Sequence, residues 1–270
     1  MKEYTSIIKE LRFALYAIKK NIQSSAELRT SFVTNIIGMM INNSAFIIIW
    51  IFFVHSVGVI NGWTAADIIG LQGFAAICFG IVFSAGDGIR KIADYVSSGS
   101  FDRFLLSPKN LLLRIATSSF GVSAIGDMFF GIACLTIYGV LGHTSMYQII
   151  LILILVMLST IVFLAAAITI YSASFLFVDS STVVQGLFEL FLTPALFHGG
   201  AFQGAMRFIF TFVIPSLLIG TLPVEIVRDI SLEKLLLVAV LSLAWFFLSI
   251  KLFSLGVRKY ESSNFMTFGN

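Results

Sequence analysis

Two carboxylate side chains, Asp127 and Glu189, lie inside long apolar stretches of the sequence. A charge at the centre of a bilayer is costly, so such groups usually face the interior of a helix bundle or a water-filled cavity. There they can contact a substrate, relay protons or form part of a gate. They can also be protonated and hydrogen-bonded to a neighbouring helix, as can the amides of Asn42 and Asn43 in an earlier apolar stretch. These four residues are our candidates for a substrate path or gate.

Sequence patterns for several other kinds of chemistry are absent. No Lys is followed by Ser or Thr, which excludes the phosphate-binding GxxxxGK(S/T) loop. HExxH, CxxC and GxSxG are also absent, and the three histidines are far apart in the chain. No Ser, Thr or Cys is paired by its spacing with a base that would activate it. We therefore expect no catalytic residue, no metal site and no cofactor site in this chain.

The composition is that of a membrane protein. Hydrophobic residues make up 58% of the 270 residues and charged residues only 11%, and the mean hydropathy is +0.99. A soluble domain carries about 25% charged residues, so this chain has too few of them to cover a soluble surface. We predict an all-α integral membrane protein. The net charge of +3 gives no reason to expect a nucleic-acid partner.

The apolar stretches set the number of membrane spans. A helix needs about 20 residues to cross a bilayer core of about 30 Å. We predict six transmembrane helices, at 32–54, 67–86, 118–141, 148–172, 182–198 and 235–257. A further apolar stretch, 205–224, is interrupted by Pro215 and bounded by Pro223, and it fits either a seventh span or a re-entrant hairpin.

The positions of Lys and Arg decide between these topologies. With six spans and a cytoplasmic N-terminus, all but three of the 17 lie on the inner side, as the positive-inside rule requires. A seventh full span would move Arg258 and Lys259 outside. We therefore predict cytoplasmic termini and a re-entrant outer segment, 199–233, between the fifth and sixth spans. Pro215 and Pro223 in this segment are candidate gate residues.

A single transmembrane domain is predicted over residues 31–258. Before it, residues 1–30 have apolar residues at helical spacing with Lys and Arg between them. This pattern predicts an amphipathic helix that lies along the cytoplasmic membrane surface. After it, residues 259–270 are predicted to form a cytoplasmic tail.

The largest inner loop, 87–115, mixes charged and apolar residues. Gly, Ser and Pro positions divide it into short helical pieces. Phe101, Phe104, Leu105 and Leu106 lie in this loop and need a surface to pack against. The residues alone leave two alternatives open: docking on a partner protein, and packing within this chain under the membrane surface.

Several short motifs occur in a characteristic order around this loop. They are Gly62–Trp63–Thr64, the run Gly99–Ser100–Phe101–Asp102–Arg103–Phe104–Leu105–Leu106–Ser107–Pro108 (similar to G-x-x-D-x-x-L-x-x-P), Pro194–Ala195–Leu196–Phe197, the pairs Ile214–Pro215 and Leu222–Pro223, and Arg258–Lys259–Tyr260–Glu261–Ser262. Together with the basic helix before the first span, they resemble the ABC-2 family of ATP-binding-cassette exporter permeases. The resemblance covers essentially the whole chain and points to the bacterial branch with separate permease and ATPase chains. Ser107 stands where many relatives carry Arg.

This resemblance implies an ABC-2 exporter fold in the bacterial cell membrane, in contact with lipid, and a permease that is not itself an enzyme. Two cytoplasmic ABC ATPase subunits would bind ATP and Mg and contact the inner loop. A second permease, identical or a sister chain, would face this one around a central path. The residues that the resemblance assigns to ATPase coupling are Phe101, Asp102, Arg103, Phe104, Leu105, Leu106 and Pro108.

The only indication of the cargo is the composition of the spans, which are rich in Phe, Ile and Leu. Such walls favour an apolar or amphipathic cargo such as a drug, a lipid or a lipopeptide. Two alternatives to an ABC permease remain. One is an ion-gradient-driven secondary transporter that uses Asp127 and Glu189 as a relay. The other is an intramembrane enzyme or an assembly scaffold.

Overall fold

The computed structural model describes residues 2–57, 62–177 and 180–260. Within these ranges the chain is helical, and the prediction of an all-α membrane protein is confirmed. The predicted tail, 259–270, lies outside the described residues except for its first two positions.

The α-helices are joined by short turns and by 3-10 and π segments. In chain order they are α1 (Lys2–Glu27), α2 (Arg29–Val57), α3 (Ala65–Gly86), α4 (Ile92–Ser97), α5 (Asp102–Leu105), α6 (Leu111–Ala116), α7 (Val122–Leu141), α8 (Met146–Ser172), α9 (Ser180–Leu196), α10 (Gly204–Phe208), α11 (Thr221–Arg228) and α12 (Leu232–Lys259).

Five helical segments of the described chain are long and apolar enough to cross a membrane. They are Arg29–Phe52, Ala65–Ser97, Val122–Leu141, Met146–Phe175 and Leu232–Lys259. The predicted span 182–198 falls on α9, which has 17 residues and contains Pro194. At 1.5 Å per residue α9 is about 25 Å long, shorter than a bilayer core of about 30 Å. The total of six spans therefore stays a prediction.

Side-chain caps explain where two of the spans, α3 and α8, begin. Thr64 accepts a hydrogen bond from the Asp67 amide, and the Asp67 carboxylate accepts one from the Thr64 amide at 2.9 Å. Ser145 and Gln148 form the same reciprocal arrangement at the start of α8. Both pairs satisfy amides that the first turn of a helix leaves without partners.

Glycines allow α3, α7 and α2 to approach closely. A Cβ atom added to Gly80 would lie 2.5 Å from the Met128 amide nitrogen, and one added to Gly126 would lie 2.4 Å from the Ile36 carbonyl oxygen. Small residues are the usual means by which membrane helices bring their backbones together. This packing fixes α7 between α2 and α3.

The first helix, α1, contacts the inner loop. The side-chain amide of Asn21 donates to the Thr117 carbonyl at 2.9 Å, and Glu10 accepts from the Asn110 amide at 3.2 Å. Leu11 and Leu15 on the same helix are exposed. The helix thus has an uncovered apolar surface, which an interfacial helix requires.

Candidate functional site

A cavity of about 450 Å³ lies between α2, α3, α7 and α9. Most of its wall is apolar and includes Phe46, Phe79 and Phe130. Its polar lining consists of Asn42, Asn43, Gln72 and Asp127. Three of the candidate path residues named from the sequence therefore meet at one cavity. A mostly apolar wall with a few polar groups is typical of small-molecule sites.

Asp127 is the acidic group of this cavity, and its side chain is held from α2. The Asn43 amide donates to Asp127 Oδ1 at 2.7 Å. Asp127 is 6% exposed, and its Oδ2 atom is buried without a hydrogen-bond partner. Asp127 lies in the second turn of α7, because the helix begins at Val122 rather than at the predicted residue 118. The close approach of α2 at Gly126 brings Asn43 within reach.

Gln72 is a cavity residue that the sequence reasoning missed. It is buried on α3, and its side-chain amide donates to the Leu196 carbonyl at 3.0 Å. The bond satisfies a carbonyl that the end of α9 would otherwise leave unpaired. A polar amide in an otherwise apolar span was the signal that could have identified it, as it identified Asn42 and Asn43.

Glu189 is not part of this cavity. It lies on an exposed face of α9, together with Gln185 and Thr193 at four-residue spacing. Residues four apart share one face of a helix, so this is a polar stripe on an apolar helix. Within the described ranges, no hydrogen bond joins Glu189 to Asp127. The two acidic residues therefore lie apart, one in the cavity wall and one on the exposed face of α9.

The inner loop differs from the expected docking patch in the orientation of its two phenylalanines. Phe101 is 0% exposed and Phe104 is buried as well. The Phe101 ring packs against Phe175 at the inner end of α8 and against Tyr260, with ring centroids 4.9 and 4.8 Å apart. Packing within the chain, one of the two alternatives left open, is thus correct for Phe101 and Phe104. These two side chains do not form a free surface.

Polar contacts hold the rest of the loop in place. The Tyr260 hydroxyl donates to Asp102 Oδ1 at 3.0 Å. Burial and the neighbouring Asp102 carboxylate raise the pKa of Tyr260 to about 12, so the phenol remains a donor at neutral pH. Arg114 donates to the Phe104 carbonyl at 2.7 Å, and the Arg103 guanidinium lies 5.0 Å from the centre of the Phe104 ring.

What the loop does expose is a small, mixed surface, which we call the inner knob: Arg103, Leu105, Leu106 and Pro108. Leu105 is 47% exposed and Leu106 is 87% exposed. The knob lies on the rigid support formed by the buried phenylalanines. Four of the seven residues assigned to coupling by resemblance are therefore available to a partner, and the other three position them.

The segment between α9 and α12 enters the bundle and returns. The Ser159 hydroxyl, halfway along α8, donates to the Leu218 carbonyl at 3.1 Å. Gln148, at the outer end of α8, donates to the Val227 carbonyl at 3.0 Å. At the helical rise of 1.5 Å per residue, Ser159 is about 16 Å along α8 from Gln148. The chain thus reaches mid-bundle depth near Leu218 and is back at the outer end by Val227.

Both prolines named as gate residues are buried at bends of this segment. Pro215 begins a 3-10 turn that is separated by the extended Ile214 from the π segment Ile209–Val213, and Pro223 lies in the first turn of α11. Proline lacks an amide donor, so it suits the first turn of a helix and ends a preceding one. Together the two prolines divide the segment into short helical pieces.

An ion cluster joins the two ends of this outer segment, and no sequence signal predicted it. Arg207 donates to Glu225 at 2.7 Å, and Lys234 lies 3.6 Å from the same carboxylate. Glu225 is buried. Arg228 lies 3.7 Å from Asp67 at the start of α3. These contacts connect the segment to α12 and to the start of the second predicted span.

Several membrane-length helices around a mostly apolar, partly polar cavity define a multi-pass membrane protein. The family model described as "ABC-2 family transporter protein" matches residues 39–264, and the chain belongs to that family. It is therefore an ABC transporter permease, a transport component whose family associates with ABC ATPases. A search of the curated proteins and a search of the solved structures found no match.

Proposed function

We propose that this chain is the permease subunit of an ABC exporter. Two separate cytoplasmic ATPase subunits bind ATP and Mg and supply the energy, and this chain forms the path for an apolar or amphipathic cargo. One observation carries the proposal: an exposed apolar knob is mounted on buried aromatic side chains that reach the inner ends of α8 and α12.

The inner knob is the contact with the ATPase. Leu105 and Leu106 are exposed apolar side chains on the side that the charge distribution assigns to the cytoplasm. A groove on the ATPase that covers them gains the free energy of burying apolar surface. Arg103 and Pro108 complete the edge of the contact.

The buried part of the loop transmits movement from the knob to the spans. Phe101 contacts Phe175 and Tyr260, so a displacement of the knob displaces the ends of α8 and α12. ATP binding then shifts an equilibrium between an inward-open and an outward-open form. For this shift to drive transport, the permease must bind cargo differently in the two forms.

A second permease covers the exposed face of α9. Gln185, Glu189 and Thr193 are exposed there, and a carboxylate facing lipid is costly. A partner of the same architecture, identical or a sister chain, removes that cost and closes a central path between the two. The outer segment, with its ion cluster around Glu225, then serves as the outer gate of that path.

A photoreactive residue at the knob tests the ATPase contact. p-Benzoylphenylalanine in place of Leu106 should form an adduct with an ABC ATPase when the full-length chain is irradiated in its native membrane. The matched control is the same residue in place of Leu141, which is also exposed but lies at the outer end of α7. An ATPase adduct at both positions, or at neither, would contradict the proposal.

A further inference from the structure

The cavity between α2, α3, α7 and α9 has one acidic residue, Asp127, among the described residues of its wall. Asp127 Oδ1 accepts from Asn43, whereas Oδ2 is buried without a partner. The other polar groups of the wall, Asn42 and Gln72, are neutral amides. Of the described residues that line the cavity, none is basic. A carboxylate in a mostly apolar wall without a cation is unfavourable, so the site favours a ligand that brings one.

Arg90 does not form an ion pair with the Asp127 carboxylate. The Arg90 guanidinium is already bound to Asp87, with its Nε 2.8 Å from Oδ1. It also lies against the Phe83 ring, 4.5 Å from the ring centre. Asp127 therefore has no ion pair within the described part of the chain.

The remainder of the wall fits an apolar body. Phe46, Phe79 and Phe130 line the cavity together with aliphatic side chains. Aromatic ring faces also attract a cation. The volume of about 450 Å³ lies within the range of small-molecule sites, about 300–1,000 Å³.

We propose that this cavity binds a small amphipathic amine. The protonated amine pairs with the Asp127 carboxylate in the cavity wall, and the apolar body of the ligand lies against Phe46, Phe79 and Phe130. This proposal rests on the proposed function, because it makes such amines the cargo class of the permease. It also explains why an isolated acidic group is buried in a wall that has no basic residue.

A pair of fluorescent probes that differ only in charge tests the binding site. Dansylcadaverine carries a primary ammonium group on an apolar body, and its N-acetyl derivative is neutral. The dissociation constant of each is measured with the full-length chain in lipid nanodiscs, after subtraction of binding to empty nanodiscs. We expect saturable binding of the amine and binding of the acetylated probe that is about 10-fold weaker or more. Equal affinities, or no saturable binding of the amine, would overturn the proposal.

Asp127→Asn provides the second comparison. The substitution keeps the size of the side chain and removes its charge, so amine binding should weaken about 10-fold or more while binding of the acetylated probe is unchanged. Asp229→Asn, at an exposed acid on the outer side, is the matched control and should leave both dissociation constants as in the wild type. Unchanged amine binding by Asp127→Asn would show that Asp127 is structural.

These measurements need no ATPase and so separate the two proposals. A chain that binds the amine but forms no ATPase adduct at position 106 refutes the proposed function and leaves the site. A chain that forms the adduct but does not distinguish the two probes refutes the site and leaves the function. The comparison of the two probes on the wild-type chain also stands if the Asp127 variant fails to fold.

Discussion

The hydroxyl of Tyr260 donates a hydrogen bond to Asp102 at 3.0 Å, which joins the residue after α12 to the start of α5. The two residues are 158 positions apart in the chain. Their contact ties the inner loop to the end of the last helix of the bundle. It also places the Tyr260 ring beside Phe101.

Tyr260→Phe removes this hydrogen bond and keeps the ring that packs on Phe101. We expect a loss of about 0.5–1.5 kcal/mol in the free energy of unfolding, the usual net value of one hydrogen bond. The loop is then less firmly joined to α12. We therefore expect clearly weaker stimulation of ATP hydrolysis by a variant that is still folded. Thermal unfolding and ATP hydrolysis of the reconstituted complex measure the two effects. Full stimulation by this variant would show that the bond has no part in coupling.

Phe101→Ala should lower the stability of the chain, whereas Leu106→Asp should prevent ATPase binding, although both residues belong to the predicted coupling run. Phe101 is fully buried, so its truncation should cost about 3–5 kcal/mol of stability. Leu106 is 87% exposed, so the aspartate should leave the melting temperature within about 2 °C and should prevent ATPase binding.

Thermal unfolding and co-purification with the ATPase distinguish these variants. Leu106→Met is the control for Leu106→Asp, since it keeps an apolar side chain and should retain the ATPase. An unfolded Leu106→Asp variant, or a Phe101→Ala variant as stable as the wild type, would contradict the assignment of Phe101 as a buried and Leu106 as an exposed side chain of the loop.

Glu225→Gln should loosen the outer segment. The carboxylate is buried between Arg207 and Lys234, and removing its charge leaves two cations without their partner. We expect amide hydrogen exchange over α11 to become at least several-fold faster, because fewer contacts then oppose its opening. Exchange over α4 to α6, on the inner side, is the internal control and should not change. Equal exchange in wild type and variant would refute the gate role of the ion cluster.

Glu189→Lys should separate the two permeases. The longer lysine side chain overfills the contact if a second copy packs there, and its ammonium group is left without an acidic partner. Native mass spectrometry of the purified chain counts the permeases in each particle. Glu233→Lys, at an exposed acid on the outer end of α12, is the matched control. A wild type with a single permease, or identical counts for both variants, would contradict the assigned interface.

The helices that cross the bundle could be predicted closely from the sequence, because a long apolar stretch is a strong local signal. The prediction 67–86 corresponds to Ala65–Gly86, and 148–172 corresponds to Met146–Ser172. The prediction 118–141 began too early. The Gly121 amide bonds to the Phe83 carbonyl at 3.2 Å, so α7 starts only after this contact with α3.

The orientation of the inner loop could not be predicted from local pattern. The side of a four-residue helix that faces inward depends on what lies beneath it, and for Phe101 this is Phe175 and Tyr260, distant in the chain. The ion pair of Arg207 with Glu225 was missed for a similar reason. The residues between them form π and 3-10 turns rather than one helix, so no single period relates their positions. By contrast, Asn43 and Asp127 were both identified, because a polar residue in an apolar span has to find a partner.

The claim on which the account depends is that this chain moves cargo only when a separate ABC ATPase drives it. Transport of dansylcadaverine in proteoliposomes tests this claim most directly, with the chain alone or with its ATPase, and with either ATP or a proton or sodium gradient as the energy source. Empty liposomes give the background leak. The account predicts transport above this background only when both ATPase and ATP are present. Transport by the chain alone under an ion gradient would contradict it.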